Sequence, residues 1–414
     1  MNAYLKKYGF QSPKITTIPN QNLGIVVVIP CFNETRITQT LDSLNSCGKT
    51  TCEVKTIVVI NQSEIITEEI AKQNQVTYEQ VIEWKSAKPE FDLEVIFEKA
   101  LPKKHAGVGL ARKIGMDEAV NLFHQIERDG IIVTFDADCL VETNYLLAIE
   151  AHFIKHPKSP GCSIRYSHPI NGGDYSQHIY DGIINYKLHL RYYNQAMKYC
   201  GAPYAFHTVG SSMAVKSSAY QKQGGMNKRK AGEDFYFLQK IIELGGFTEL
   251  NATCVIPSPR ISDRVPFGTG KAIGDWVEKN DETYYTYSFQ TFIELKELFL
   301  NIANIYNKVD YVIKSKLILQ YMKEINFENK VGEIRNNTTN YINFEKRFYT
   351  FFNAFMVLKY VHYARDNFYP NLPVQQEAKQ LLIHCFQFNQ NEKNPEILLQ
   401  YYRSLEKGDG LVIG

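Results

Sequence analysis

The 414-residue sequence predicts an α/β protein in which a mostly parallel sheet is flanked by helices and followed by a helical C-terminal region. Three observations carry that expectation. Up to about residue 160, apolar β-branched runs alternate with helical stretches of ten or more residues. The apolar runs are continuous rather than alternating, which suits strands covered on both faces. Beyond residue 272 the apolar spacing changes to three and four, the period of one helix face.

In chain order, "MNAYLKKYGFQSPKITTIPNQ" has no apolar core followed by small residues, so no secretory signal and a reducing, cytoplasmic location are expected. "LGIVVVIPCFNE" (23–34) reads as a fully buried strand closed by a proline. "TRITQTLDSLNSC" then sets Ile37, Leu41 and Leu44 at helical spacing. "VKTIVVINQSE" (54–64) and "LEVIFEKA" (93–100) repeat the strand pattern, and "GVGLARKIGMDEAVNLF" (107–123) reads as a glycine turn opening a helix. "IIVTFDADCL" (131–140) runs five largely apolar residues into Asp136 and Asp138. From about 160 to 230 the sequence loosens into Gly- and Ser-rich segments, the composition of functional loops. After "ATCVIPSPRISDRVPFGTGKA" (252–272), Phe292, Leu295, Leu298, Phe299, Ile302, Ile305, Tyr306 and Val309 mark an amphipathic helix. Similar patterns recur near 311–323, 341–363, 374–386 and 395–404. The expected division is an arm over 1–22, an α/β domain over 23–272, and a helical domain or lid over 273–414.

Composition narrows the functions. With 46 basic residues offset by 44 acidic ones, the net charge of +2 lacks the concentrated basic face of a nucleic-acid binder. The eight cysteines form no C-x-x-C pair, which removes the usual zinc and redox signatures and leaves free thiols as the expectation. "FYTFFNAFMVL" (348–358) is well short of the ~20 apolar residues that span a bilayer.

Chemistry is suggested at four places. Side chains two apart on an extended backbone point the same way, so Asp136 and Asp138 at a strand end put two carboxylates on one face. Mg²⁺ and Mn²⁺ are commonly held by one or two carboxylates, with water and substrate phosphates filling the other positions. A solvated turn stays open, because Asp also caps local backbone groups. In "AGEDFYFLQKI", Glu233 and Asp234 can differ in role because only one acid need face a cleft to accept a proton. Acids at a helix start equally favour the helix dipole. In "LPKKHAGVGLARK", Gly109 lets a backbone approach an anion at a helix N-terminus with Arg112 one turn in, or the segment is a plain turn. "SPRISDRVPFGTGKA" offers Arg260, Arg264 and Lys271 to phosphate oxygens, or to solvent.

"VVVIPCFNE", "GVGLARKIGMDEA", "IIVTFDADC", "GSSMAVKSSAYQKQGGM" and "AGEDFYFLQKI" stand in the order and at roughly the separations of the family 2 glycosyltransferases with the GT-A fold. The chain resembles them over about residues 22–260. The resemblance implies an inverting, metal-dependent transferase that uses a nucleotide-diphosphate sugar. It implies that Pro30, Phe32, Asn33 and Glu34 line the nucleotide pocket, that Asp138 ligates Mn²⁺ or Mg²⁺ with Asp136 near ribose or metal water, and that Asp234 is the base. Asn61 stands where many relatives carry the aspartate that reads the base, which leaves the nucleotide open. "ATCVIPSPR" lacks the histidine many relatives place there, so the metal rests on Asp138, diphosphate and water, or turnover depends on it less than usual. The acceptor, whether glycan, lipid or small molecule, is not legible, and peripheral contact with the inner face of a membrane stays open. A retaining enzyme, a silent nucleotide-binding scaffold and a sugar-phosphate nucleotidyltransferase are the alternatives. "IPCFNETR" is not the glycine-rich loop the last of these would need.

Overall fold

The computed structural model describes residues 2–266, 268–279, 282–308 and 313–408. The chain separates into two compact units, one of Met1–Gly172 with His207–Lys271 and one of Gly173–Phe206 with Ala272–Gly414. The expected border near residue 272 is therefore incomplete. The segment Gly173–Phe206 belongs with the C-terminal helices, and the N-terminal arm belongs with the sheet.

The first unit begins with α1 (Ala3–Tyr8), β1 (Leu23–Cys31), α2 (Ile37–Asn45), β2 (Glu53–Ser63), α3 (Glu68–Ala87), β3 (Leu93–Leu101) and α4 (Val108–Gln125). It continues through β4 (Ile131–Thr134), β5 (Cys139–Val141), α5 (Tyr145–Lys155) and β6 (Gly161–Tyr166). The chain then leaves for α6 (Gln177–Cys200) and returns as β7 (Met213–Lys216), α7 (Ser217–Lys222), α8 (Glu233–Ile242) and β8 (Thr248–Pro257). The strands form one eight-stranded sheet in the order β3-β2-β1-β4-β7-β6-β8-β5. β1 is parallel to both neighbours, β2 and β4, and every one of its residues is buried, which explains its unbroken apolar run. Pro30 is tolerated because it lies beyond the last β4 partner, the Val28–Thr134 pair, so its missing N–H removes no bond from that ladder.

α4 lies against the sheet and is buried nearly all round, including Asp117 and Glu118. Those two acids hold the arm. Asp117 accepts from Tyr4 Oη at 2.8 Å, and Glu118 accepts from the Lys14 and Ile15 N–H groups at 2.6 and 3.2 Å.

In the second unit, α6 packs with helices from the end of the chain. After α9 (Thr269–Lys279) come β9 (Tyr285–Thr286), α10 (Phe289–Leu300), α11 (Ile302–Asn307), α12 (Lys316–Glu324), α13 (Phe327–Asn336), α14 (Tyr341–Phe351), α15 (Ala354–Asn367), β10 (Leu372–Pro373), α16 (Val374–Cys385) and α17 (Pro395–Lys407). The pattern read over 341–363 is two helices, because Asn353 interrupts it and caps α15 by accepting from the Phe355 and Met356 N–H groups. Val309 and residues 311–312 lie outside the described residues. All eight cysteines are free thiols, as expected, and among the described residues no helix is long and apolar enough to cross a membrane.

Candidate active site

β1 and β4 are neighbours, yet the chain leaving β1 runs to β2 on the other side. Loops at these two strand ends diverge and leave a crevice, where open α/β sheets bind ligands. The candidate residues gather here.

After β1 the chain turns at Asn33, which takes a left-handed φ of 48°, a conformation asparagine tolerates better than most. α3 fixes the turn. Asn33 N–H donates to Asn74 at 2.8 Å, and Thr77 Oγ1 and Gln73 Nε2 donate to the Glu34 carbonyl at 2.6 and 3.1 Å. The Glu34 side chain is thereby directed inward and is 0% exposed. It accepts from the Thr35 and Arg36 N–H groups and is gripped by both terminal nitrogens of Arg260, at 3.1 and 2.5 Å. Arg264 donates to the Asn33 carbonyl at 2.8 Å and lies 3.5 Å from Glu34. Glu34 is thus an anchor for the segment after β8 rather than a wall of an open pocket. Phe32 and Asn33 are half-buried at the turn, Pro30 is buried inside the strand, and Asn61 is buried near the end of β2.

After β4, Phe135 N–H still bonds the Val28 carbonyl at 3.0 Å, and then the chain folds back with Cys139 N–H on the Asp136 carbonyl. Asp136 and Asp138 therefore sit on a turn, not on extended backbone, and the expectation of one shared face is corrected. Their carboxylates part. Asp136 pairs with Arg112 at 2.5 Å and Asp138 with Arg260 at 2.9 Å.

Arg112 itself is 3% exposed and also pairs with Glu233. It does not project toward solvent as a phosphate ligand would. Gly109, on the same turn of α4, meets protein too: a Cβ there would run into the carbonyl oxygens of Asn227 and Arg229 and the Glu233 side chain. The glycine makes room for the loop before α8 rather than for a ligand. Asp234 accepts from Gly210 N–H at 2.9 Å and from Phe235 N–H at 2.7 Å. Lys271 is half-buried in the first turn of α9, farther along the segment that carries Arg260 and Arg264.

The cluster sets five carboxyl groups (Glu34, Asp136, Asp138, Glu233 and Asp234) against the guanidiniums of Arg112, Arg260 and Arg264. Burial raises the Asp138 carboxyl to about 6, aided by Asp136 and Glu34 and opposed by the arginines. Burial likewise raises Glu233 and Asp234, with Arg112 pulling both down. For Arg112, burial works against the charge, but Asp136, Glu233 and Asp234 outweigh it and keep the guanidinium firmly protonated. Among the described residues no group of three His, Cys, Asp or Glu could hold a metal, so a cation at Asp138 would depend on substrate oxygens and water for most of its shell.

Sequence reading missed Gly210 and Asn74. Gly210 stood in the quoted "GSSMAV" with nothing to mark its N–H, and Asn74 lies on a helix the periodicity did not single out. The basic run Lys228–Arg229–Lys230 was in view but unassigned; it is exposed, and Lys230 packs on Gly107 at the start of α4.

Residues 26–223 match the family model described as glycosyl transferase family 2. Comparison with curated proteins gives no match. Among solved structures, S. aureus TarS 1–349 in complex with UDP-GlcNAc aligns at 13% identity and a TM-score of 0.41, over 94% of this chain and 89% of that one. The same protein in complex with UDP gives 14% and 0.39 over the same shares, and S. aureus TarS gives 13% and 0.39 over 94% and 54%. At these values the likeness is loose, and no residue's role is taken from it.

Proposed function

We propose, from the match of residues 26–223 to the glycosyl transferase family 2 model, that the chain is a glycosyltransferase of that family and moves a sugar from a nucleotide-diphosphate donor to an acceptor hydroxyl with inversion. The observation that supports the reading is a chain of ion pairs: Arg260 joins Glu34 after β1 to Asp138 after β4, and Arg112 joins Asp136 to Glu233, the neighbour of Asp234. In an inverting transfer the acceptor hydroxyl needs a base on the face opposite the departing diphosphate. Asp234 is that base. Its carboxylate is oriented by two backbone N–H groups, and burial raises its basicity above that of an exposed aspartate. Glu233 is spoken for by Arg112 and stays out of proton transfer.

Arg260 and Arg264, partly exposed beside Asp138 and Glu34, would offset charge on the departing diphosphate. Mn²⁺ or Mg²⁺ would be held by Asp138, while Asp136 stays with Arg112. Bound there, the cation neutralises the diphosphate as a Lewis acid. The nucleotide base meets an amide, Asn61, rather than an acid.

A thermal-shift screen of UDP-, GDP- and TDP-sugars identifies the donor, because a ligand that binds only the native state raises its melting temperature. With that donor, Asp234→Asn is expected to leave nucleotide affinity nearly unchanged and to slow turnover by on the order of 10²–10⁴-fold. A product with retained anomeric configuration would rule out Asp234 as the base of a single displacement.

A further inference from the structure

We infer that Arg112 is a positioning residue, which ties Asp136 to Glu233 from beneath the crevice and so sets Asp234 in place for proton transfer without touching the donor. The inference rests on the reading of Asp234 as the base. Its geometry is independent of that reading. Arg112 lies one turn into α4 and is buried, with one terminal nitrogen on Asp136 after β4 and the other on Glu233 at the start of α8. The two acids come from segments almost a hundred residues apart, and this single guanidinium joins them. Among the described residues its Nε has no acceptor, and the two terminal nitrogens make its side-chain bonds.

One glycine lies directly against this tie. At Gly210 a Cβ would fall 2.6 Å from the guanidinium carbon, so a larger residue would push the charged group off its two carboxylates. That same Gly210 donates its N–H to Asp234. The base is thus located by a peptide pressed on Arg112 and by a helix start pinned to Arg112 through Glu233. Asn227 fastens the helix start further, donating from Nδ2 to the Glu233 carbonyl at 3.0 Å. Arg112 is 3% exposed with a carboxylate on each terminal nitrogen, so its guanidinium faces the protein rather than an incoming phosphate.

Arg112→Lys and Glu233→Gln test the assignment. Lysine is a point charge that cannot bridge two carboxylates as a fork does. Glu233→Gln, uncharged and nearly isosteric, serves if the lysine variant does not fold. Turnover and KM are measured with the donor found above, and affinity for UDP and GDP by calorimetry. Both variants should lose roughly tenfold to a hundredfold in kcat while donor KM and nucleoside-diphosphate affinity stay within about threefold. A tenfold loss of nucleotide affinity in Arg112→Lys would show that the arginine binds the diphosphate, and wild-type turnover in both variants would show that it positions nothing of consequence. Asp234→Asn, run in parallel, separates the two ideas. If that variant turns over normally, the base reading fails; if it is slow while both positioning variants are normal, only the present inference fails.

Discussion

Asp138 and Asp234 are both acids that burial makes reluctant to ionise, yet their partners differ: Asp138 has an arginine side chain and Asp234 has two backbone N–H groups. A cation can relieve the first, and a proton from an acceptor can satisfy the second. If the proposed cation binds at Asp138, nucleoside-diphosphate affinity should be higher in Mn²⁺ than in EDTA and Asp138→Ala should abolish that difference, with the melting temperature little changed; calorimetry reads this directly. His189 offers a test of burial in the second unit. Its Nδ1 lies 2.7 Å from Thr286 Oγ1, and burial lowers its pKa to about 4 from the ordinary 6.5. The unfolded chain takes up the proton first as pH falls, so this group's contribution to stability is present above about pH 6.5 and is lost toward pH 4. Urea unfolding at pH 7 and pH 5 should show a smaller acid loss in His189→Gln than in the wild type. Sequence motifs pointed to nearly every residue of the cluster but not to its partners. Arg112 was legible as a cation near an anion site; that its anions are Asp136 and Glu233 depends on contacts between distant segments, which no local pattern encodes.

Among the elements, the arm that opens the chain is held by polar bonds into a buried helix face. Tyr4 and Tyr220 both donate to Asp117 at 2.8 Å, and Lys113 pairs with the same acid at 3.0 Å. Tyr4→Phe removes one of these donors and should cost about 1–2 kcal/mol in urea unfolding, whereas a cost near zero would mean the arm is held by packing alone. Strands proved easier to read than helices, because a doubly covered strand such as β1 must be apolar at every position. α3 gave no clear stripe, since its few buried positions include Asn74 and Thr77, which serve the turn after β1. α6 was passed over in a region read as loops: Ile183, Ile184, Leu188, Tyr192 and Ala196 follow a helical period, but glycine, histidines and tyrosines among them blur it.

For the molecule as a whole, the second unit is assembled from two separate stretches of chain. α6 packs against α10, α16 and α17, burying Ile183, Leu188, Tyr192 and Ala196. A chain ended after Lys271 keeps α6 and loses all three covering helices. It should expose that apolar side, bind a hydrophobic dye and aggregate, while a monodisperse product with a sharp melting transition would show that α6 needs no cover. The interruption of one unit by the other also sets a timetable for synthesis. β7 and β8, which complete the sheet, emerge only after α6, and α17 begins nearly 200 residues beyond the end of α6. At ~5–20 residues per second the ribosome takes roughly 10–40 s to cover that distance. Through that interval the 24-residue helix gains its cover piecemeal, first from α10, then from α16 and last from α17, and until then part of its apolar side is open to a chaperone.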